Sequence, residues 1–352
     1  MKKTLLYLFM GASFATTAQT LVTENFNSLV AGDVSTEITG TTAGQGSYFL
    51  FATNGTAPTT STNAGVTNAQ IVAGGNASLG LQITGPNGDK GSRFMWKDGF
   101  PALWTARTTG NDIIELEVDI NPGAGTTLSR NNIGVYIYNA AGDRVLAGVV
   151  VKAATRELFL VAYSTPAGNP VGSYTYSLAA APGIQLPADV FSRVGISYNK
   201  TTGQVIIKAP GLAPAGAGVA GSSAGSDPAE IDFVGFSGNT TAIPNTAAGS
   251  VIMDNLLVKA SNTDTLLNTE TFTTDSLVTI NLYPNPVNDV LNINSTYALN
   301  NISISDINGR VVRNTSLNGT EAQINIADLA SGVYLLKVVT SEGTVTKKVI
   351  KE

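Results

Sequence analysis

From residue 21 onward the chain is built of short stretches in which apolar and polar residues alternate or run apolar, and none shows the three-to-four-residue spacing of an amphipathic helix. Stretches 79–83, 113–120, 133–138, 145–151, 158–163, 190–198, 204–208, 231–236 and 251–258 each predict a strand, with 21–26 as the first of the series. Breaks such as Gly85-Pro86-Asn87-Gly88 and Ala141-Gly142-Asp143 separate them. The polar segment between 27 and 77 reads as long loops carrying Tyr48-Phe49-Leu50-Phe51, and 210–228 reads as another loop. Between 198 and 204, Asn199-Lys200-Thr201-Thr202-Gly203 predicts a tight hairpin whose glycine takes a positive φ.

About a dozen short strands with turns between them predict an all-β chain, a two-sheet sandwich over residues 19–260. A Thr/Asn-rich stretch, 261–280, reads as an interdomain linker. Alternation resumes in the last segment, 281–352, at 290–294, 302–306, 311–312, 323–326 and 333–339, after an entry fixed as extended by Pro284 and Pro286. Asn308-Gly309 predicts a hairpin turn there. At the other end, Lys2 and Lys3, an apolar run at 5–10 and small residues through Ala18 have the order of a secretory signal peptide covering 1–18.

Composition narrows the chemistry. Net charge is −5 with a pI near 4.9, so the chain lacks the clustered basic face of a nucleic-acid binder. With no Cys there are no disulfides or thiolate sites, and with no His there is no Ser-His-Asp triad and no imidazole metal ligand. Carboxylates are the remaining acid–base groups of note. Glu115, Glu117 and Asp119 alternate along one predicted strand and so share a face, the layout an acid and nucleophile pair would need, although a solvated strand face has the same pattern. Trp96, Phe100 and Trp104, interleaved with Lys97 and Asp98 and flanked by Arg93 and Arg107, form an aromatic group suited to stacking on sugar rings or to core packing. Glu24 and Asp254 become neighbours if the first and last strands of the sandwich pair, which would offer oxygen ligands to a structural calcium ion.

Two resemblances add to this reading. The Glu24-Asn25-Phe26 opening, the Phe191-to-Tyr198 strand with its Thr202-Gly203 hairpin and the closing Met253-Asp254-Asn255-Leu256 resemble concanavalin A-like and laminin G-like jelly rolls. That family implies a curved sheet whose concave face holds carbohydrate, and a structural calcium ion in many members. Glycosidases of that fold place three carboxylates on one strand with Asp between two Glu residues. The order Glu, Glu, Asp departs from theirs, which argues against catalysis. In the last segment, Tyr283-Pro284-Asn285-Pro286, then Gly309, then Gly332 with Tyr334, and finally Lys347-Lys348 resemble the C-terminal sorting domain of the type IX secretion system, a small Ig-like β-sandwich. It implies an extracellular or outer-membrane surface location, the translocon and a sortase as partners, and attachment to surface lipopolysaccharide or release. The expected protein is thus an exported, non-catalytic polysaccharide-binding jelly roll, with a glycan hydrolase or lyase using Glu115, Glu117 and Asp119, or an adhesive surface protein, as alternatives.

Overall fold

The computed structural model describes residues 18–54, 63–76, 79–126, 128–238, 244–267, 280–306, 310–340 and 343–352. The expected signal peptide up to residue 17 and the Asn308-Gly309 turn lie outside them. The chain divides into two compact units, Met1–Asn268 and Thr269–Glu352.

The first unit contains β1 (Gln19–Glu24), β2 (Gly32–Asp33), β3 (Tyr48–Ala52), β4 (Ala69–Ala73), β5 (Leu79–Thr84), β6 (Ser92–Lys97), a short helix α1 (Phe100–Thr105), β7 (Ile113–Asn121) and β8 (Asn131–Asn139). It continues with β9 (Val145–Lys152), β10 (Glu157–Ser164), β11 (Gly172–Ser177), β12 (Ser192–Asn199), β13 (Gln204–Lys208), β14 (Ala217–Ala220), β15 (Pro228–Ser237) and β16 (Ser250–Ser261). These strands make a jelly-roll sandwich of two antiparallel sheets. One sheet has nine strands in the order β14-β13-β12-β7-β16-β5-β4-β2 with β1 beside β16, and the other has seven in the order β11-β10-β9-β8-β15-β6-β3.

Period-two alternation explains the layering. Ile114, Leu116, Val118 and Ile120 of β7, Val194 and Ile196 of β12, and Val135, Ile137, Leu158, Leu160, Met95 and Phe233 from the other sheet form one buried apolar cluster between the sheets. The predicted hairpin is present: Gly203 has φ 77° and its amide donates to the Asn199 carbonyl at 2.7 Å, while Asn199 Oδ1 accepts from the amides of Thr201 and Thr202. The first and last strands pair with Glu24 opposite Leu256. Asp254-Asn255 sits where the β16–β7 register shifts, with Asn255 at φ 48°, a bulge that lets β16 pass from β5 to β1 along one edge.

Three expectations are corrected. Tyr48-Phe49-Leu50-Phe51 is a strand because both of its faces are apolar, Tyr48 and Leu50 inward and Phe49 and Phe51 outward, so no apolar–polar alternation marks it. The loop 210–228 includes β14, whose small residues carry no alternation. The linker does not begin at 261. Ser261 ends β16, and the following residues pack on the nine-stranded sheet: Leu266 is 0% exposed, the Lys208 ammonium donates to its carbonyl at 3.0 Å, and Lys208 pairs with Asp264 at 2.8 Å. The polar composition of this stretch serves hydrogen bonds to the sheet.

The second unit is a five-stranded antiparallel sheet of β17 (Ile280–Tyr283), β18 (Val290–Asp306), β19 (Val311–Asn325), β20 (Gly332–Thr340) and β21 (Gly343–Lys351). The strands expected separately at 290–294 and 302–306 form one long strand. Its first half has β17 and β19 as neighbours and, beyond register shifts between Asn294 and Asn301, its second half has β19 and β20. Such a change of partner at irregularities is how one sheet doubles over a shared core, here Leu291, Ile293, Ile302, Ile304, Tyr334, Leu336 and Val338.

Replacing Leu266 by Ala is expected to lower the unfolding free energy of the first unit by about 2–5 kcal/mol, read as a lower urea midpoint of the full chain. A linker without structural role would leave that midpoint unchanged.

Candidate ligand-binding site

The three carboxylates of β7 share a face, as alternation requires, but that face is covered. Glu115 is 0% exposed. The backbone amide and hydroxyl of Thr265 donate to it, and the Lys259 ammonium stands 3.5 Å away. Glu117 accepts from Lys259 at 3.0 Å, from the Leu267 amide at 3.1 Å and from Arg193 at 3.3 Å. Asp119 accepts from Arg193 at 3.2 Å, from Asn76 at 2.9 Å and from Asn255 at 2.8 Å. Every one of these acids is thus satisfied by fixed donors, and residues 262–267 lie over the first two. Burial pushes the Glu115 carboxyl above its ordinary range against these hydrogen bonds. The expectation of a solvated or reactive face is corrected.

Glu24 and Asp254 do not meet as ion ligands. The Glu24 carboxylate accepts from Lys97 at 2.7 Å, Tyr48 Oη at 3.2 Å and its own Phe26 amide, whereas Asp254 accepts from the amides of Asn76 and Asn255, both at 2.7 Å. An ammonium already neutralises the first carboxylate, and among the described residues no group of three or more acids is gathered for a metal. This donor set does not fit a calcium ion.

The aromatic group is split by the fold. Trp104 is 2% exposed within the core, its indole N–H donates to Asp227 at 2.7 Å, and the Arg107 guanidinium lies 4.0 Å from its ring. Phe100 is buried at the start of α1 and lines an end pocket of about 310 Å³ with Tyr48, Lys97 and Leu103. Neither offers a ring face beside Trp96. That residue, on β6, points to the outer face of the seven-stranded sheet, because Arg93, Met95 and Lys97 take the inward phase.

What surrounds Trp96 there is set by register. Across the sheet, Phe49 of β3 stands opposite Trp96, Trp96 opposite Asp232 of β15, Asp232 opposite Tyr136 of β8, and Tyr136 opposite Gly148 of β9. The adjacent row runs Phe51, Phe94, Val234, Gly134, Val150 and Phe159. Phe49 and Trp96 stack with ring centres 5.6 Å apart and planes 18° apart, and Tyr136 stacks on Phe236 at 5.7 Å. A Cβ on Gly148 would fall 2.4 Å from the Tyr136 ring, so only glycine lets that ring lie across β9. The result is a groove of about 290 Å³ lined by Phe51, Phe94, Trp96, Tyr138, Gly142, Glu230 and Asp232.

Glu230 and Asp232 are the chemically distinctive part. Two residues apart on β15, they share one face of the strand and line the same groove. Burial first, then the charge of Glu230, raises the Asp232 carboxyl far above its ordinary range; burial raises Glu230, and Asp98 adds to it. Buried beside each other, the two carboxyls resist ionising together, and the pair keeps a proton. Asp232 is 3% exposed, and its buried Oδ1 has no hydrogen-bond partner among the described residues. Residue-type reading overlooked the pair although Glu230-Ile231-Asp232 carries the same alternation as β7; the partners that complete the groove come from β3 and β6, where alternation is not visible.

In the second unit the Asn285 side chain binds the last strand, donating to the Lys348 carbonyl and accepting from the Ile350 amide, both at 2.9 Å. The Val287 amide donates to the Ile350 carbonyl at 2.8 Å. Tyr283, Lys347 and Lys348 are exposed, Pro284 and Pro286 flank Asn285, and Tyr334, two residues after Gly332, is buried with its hydroxyl donating to the Ala330 carbonyl at 2.9 Å. Of the residues singled out in this segment, Asn308 and Gly309 are not described.

Residues 281–352 match the family model described as the secretion system C-terminal sorting domain. The tail is therefore a type IX sorting domain, it engages that export machinery, and it directs the chain to the cell surface or the medium. No curated protein matches the chain. Among solved structures similar to it, a cellulose-induced protein is 11% identical, with 69% of this chain and 97% of that chain covered and a TM-score of 0.40. An alginate lyase is 15% identical, covering 67% and 95% with a TM-score of 0.39. A CBM2 module of a Lactobacillus casei phage Dit protein is 10% identical, covering 70% and 97% with a TM-score of 0.36.

Because the folded chain holds a proton at Asp232 that the unfolded chain releases, this contribution to stability is complete below about pH 4 and is lost as pH rises toward the raised value. Glu230 acts in the same direction. Melting temperature is expected to fall from pH 5 to pH 8, and Asp232→Asn to flatten that fall, adding about 1–3 kcal/mol at the upper end. An unaltered slope in the variant, followed by circular dichroism, would place the proton elsewhere.

Proposed function

We propose that the exported first unit binds a polysaccharide, without catalysis, in the groove over Trp96 on the outer face of its seven-stranded sheet. The observation that carries this reading is the groove itself: aromatic rings from β3, β6 and β8 converge on two polar groups, the arrangement by which flat apolar sugar faces are stacked while hydroxyls are hydrogen-bonded. The alternative of a hydrolase loses its proposed residues, since Glu115, Glu117 and Asp119 are covered and ion-paired. Glu230 and Asp232 do not replace them. A glycosidase needs one carboxyl ionised beside one that is protonated, whereas burial holds both of these above the ordinary carboxylate range. The sorting domain delivers this binding unit. Beyond export, a sortase removes the tail and joins the unit to surface lipopolysaccharide, or the unit is released.

Trp96→Ala is expected to weaken binding in a glycan screen at least tenfold, about 1.4 kcal/mol, while Trp104→Ala lowers stability instead. Unchanged glycan binding in Trp96→Ala would reject the groove. Deleting residues 281–352 is expected to hold the first unit in the periplasm of a host with this export system; its appearance in the medium would remove the sorting role.

A further inference from the structure

The groove is negative in a way that a neutral sugar does not resolve. Asp232 lines it with Oδ1 buried and unpartnered among the described residues, and Glu230 lines it too. An unpartnered buried acceptor calls for a donor, and among the described residues no N–H or hydroxyl supplies one. The cations of the neighbouring strands are engaged elsewhere. Lys97 is turned inward onto Glu24 at 2.7 Å, and Arg93 onto the Thr53 carbonyl at 2.8 Å. Arg144 lies over Tyr163 at 5.0 Å, and Lys152 over Phe159 at 4.9 Å. The other titratable groups that act on the pair are Asp98 and the phenols of Tyr136 and Tyr138, and none brings positive charge. Around the acids stand the side chains of Trp96, Phe94, Phe51 and Tyr138.

We infer that this groove is built for a ligand carrying an organic ammonium group, and, resting on the glycan reading above, that the ligand is a glycan with free amino sugars. An ammonium brings three N–H donors and a positive charge. It satisfies Asp232 Oδ1, lies against aromatic faces that attract cations, and replaces the proton that the pair keeps. A hydroxyl supplies one donor and leaves that proton in place. An N-acetylated amine has lost the charge, and a uronic acid or sulfated sugar adds a third negative group to a site that already cannot ionise fully. The order of preference is therefore free amine, then neutral sugar, then acidic sugar.

The test uses the full chain and three probes: short β-linked oligomers of glucosamine, of N-acetylglucosamine and of a uronic acid, compared by isothermal titration calorimetry at mildly acidic pH in two buffers of different ionisation enthalpy. The glucosamine oligomer is expected to bind at least tenfold more tightly than its acetylated counterpart, about 1.4 kcal/mol, and to release protons on binding. Asp232→Asn, checked for an intact fold by its melting transition, is expected to abolish both the preference and the proton release, while Trp96→Ala weakens all binding. Equal or tighter binding of the acetylated or acidic oligomer overturns the assignment. Binding confined to neutral oligomers and lost in Trp96→Ala overturns it while leaving the glycan reading standing, and no binding by any probe or by the glycan screen overturns both.

Discussion

The constraint on which the first unit depends is the neutralisation of β7. This strand lies in the interior of the nine-stranded sheet, and its inward residues, Ile114, Leu116, Val118 and Ile120, are all core. Its other face carries three acids that the fold also buries. Isolated carboxylates cannot be buried ionised at tolerable cost, so each neighbouring strand contributes a cation in register: Arg193 of β12 opposite Asp119, and Lys259 of β16 opposite Glu115. The bulge at Asp254-Asn255 turns the Asn255 amide toward Asp119 and its carbonyl toward Arg193, and the segment after β16 folds back to donate from Thr265 and Leu267. Removing one member strands another, which is why a stretch with the composition of a linker belongs to the sandwich.

The seven-stranded sheet resolves the same alternation differently. Glu230 and Asp232 occupy one face of β15 as Glu115, Glu117 and Asp119 occupy one face of β7, yet no cation stands opposite them; Asp232 faces Trp96 on one side and Tyr136 on the other. One row of acids is closed by ion pairs and covered by chain, and the other is left unpaired among rings. Ion-paired acids stabilise register and have nothing further to offer a ligand, whereas an uncompensated pair stores electrostatic cost that a ligand can relieve. The difference lies in what the flanking strands and the segment after β16 present.

This also sets what was legible in the sequence. Strands with one apolar face, such as β7 and β12, the continuous apolar run of β9 and the Gly203 hairpin are visible from period and turn chemistry, and the sorting domain from the order of Tyr283-Pro284-Asn285-Pro286, Gly332 and Tyr334. The short β3, apolar on both faces within a polar stretch, and the inverted β6, where Arg93 and Lys97 point inward, are not. Since the groove is made from those two strands together with β15 and Tyr138 of β8, its rings could be named only singly. Trp96 was identifiable; its separation from Trp104 was not, because a six-residue helix carries Trp104 into the core.

Export bears on the same balance. An exported chain without Cys or His must hold its fold outside the cell with no disulfide to constrain it and no metal held by imidazole or thiolate. Its stability then rests on the apolar layer between the sheets and on buried polar pairs that are complete only when the whole sheet has formed. The acids of β7 are completed by donors from β12, β16 and residues 265–267, which spans the strand order from the middle of the unit to its C-terminal edge. Until that edge is in place, Glu115 and Glu117 lack their amide donors, so docking of residues 262–267 marks the first unit as finished. The groove, by contrast, needs no such closing contact: its rings and acids are set by the strands of one sheet, and its unsatisfied acceptor is left for what the exported protein meets outside.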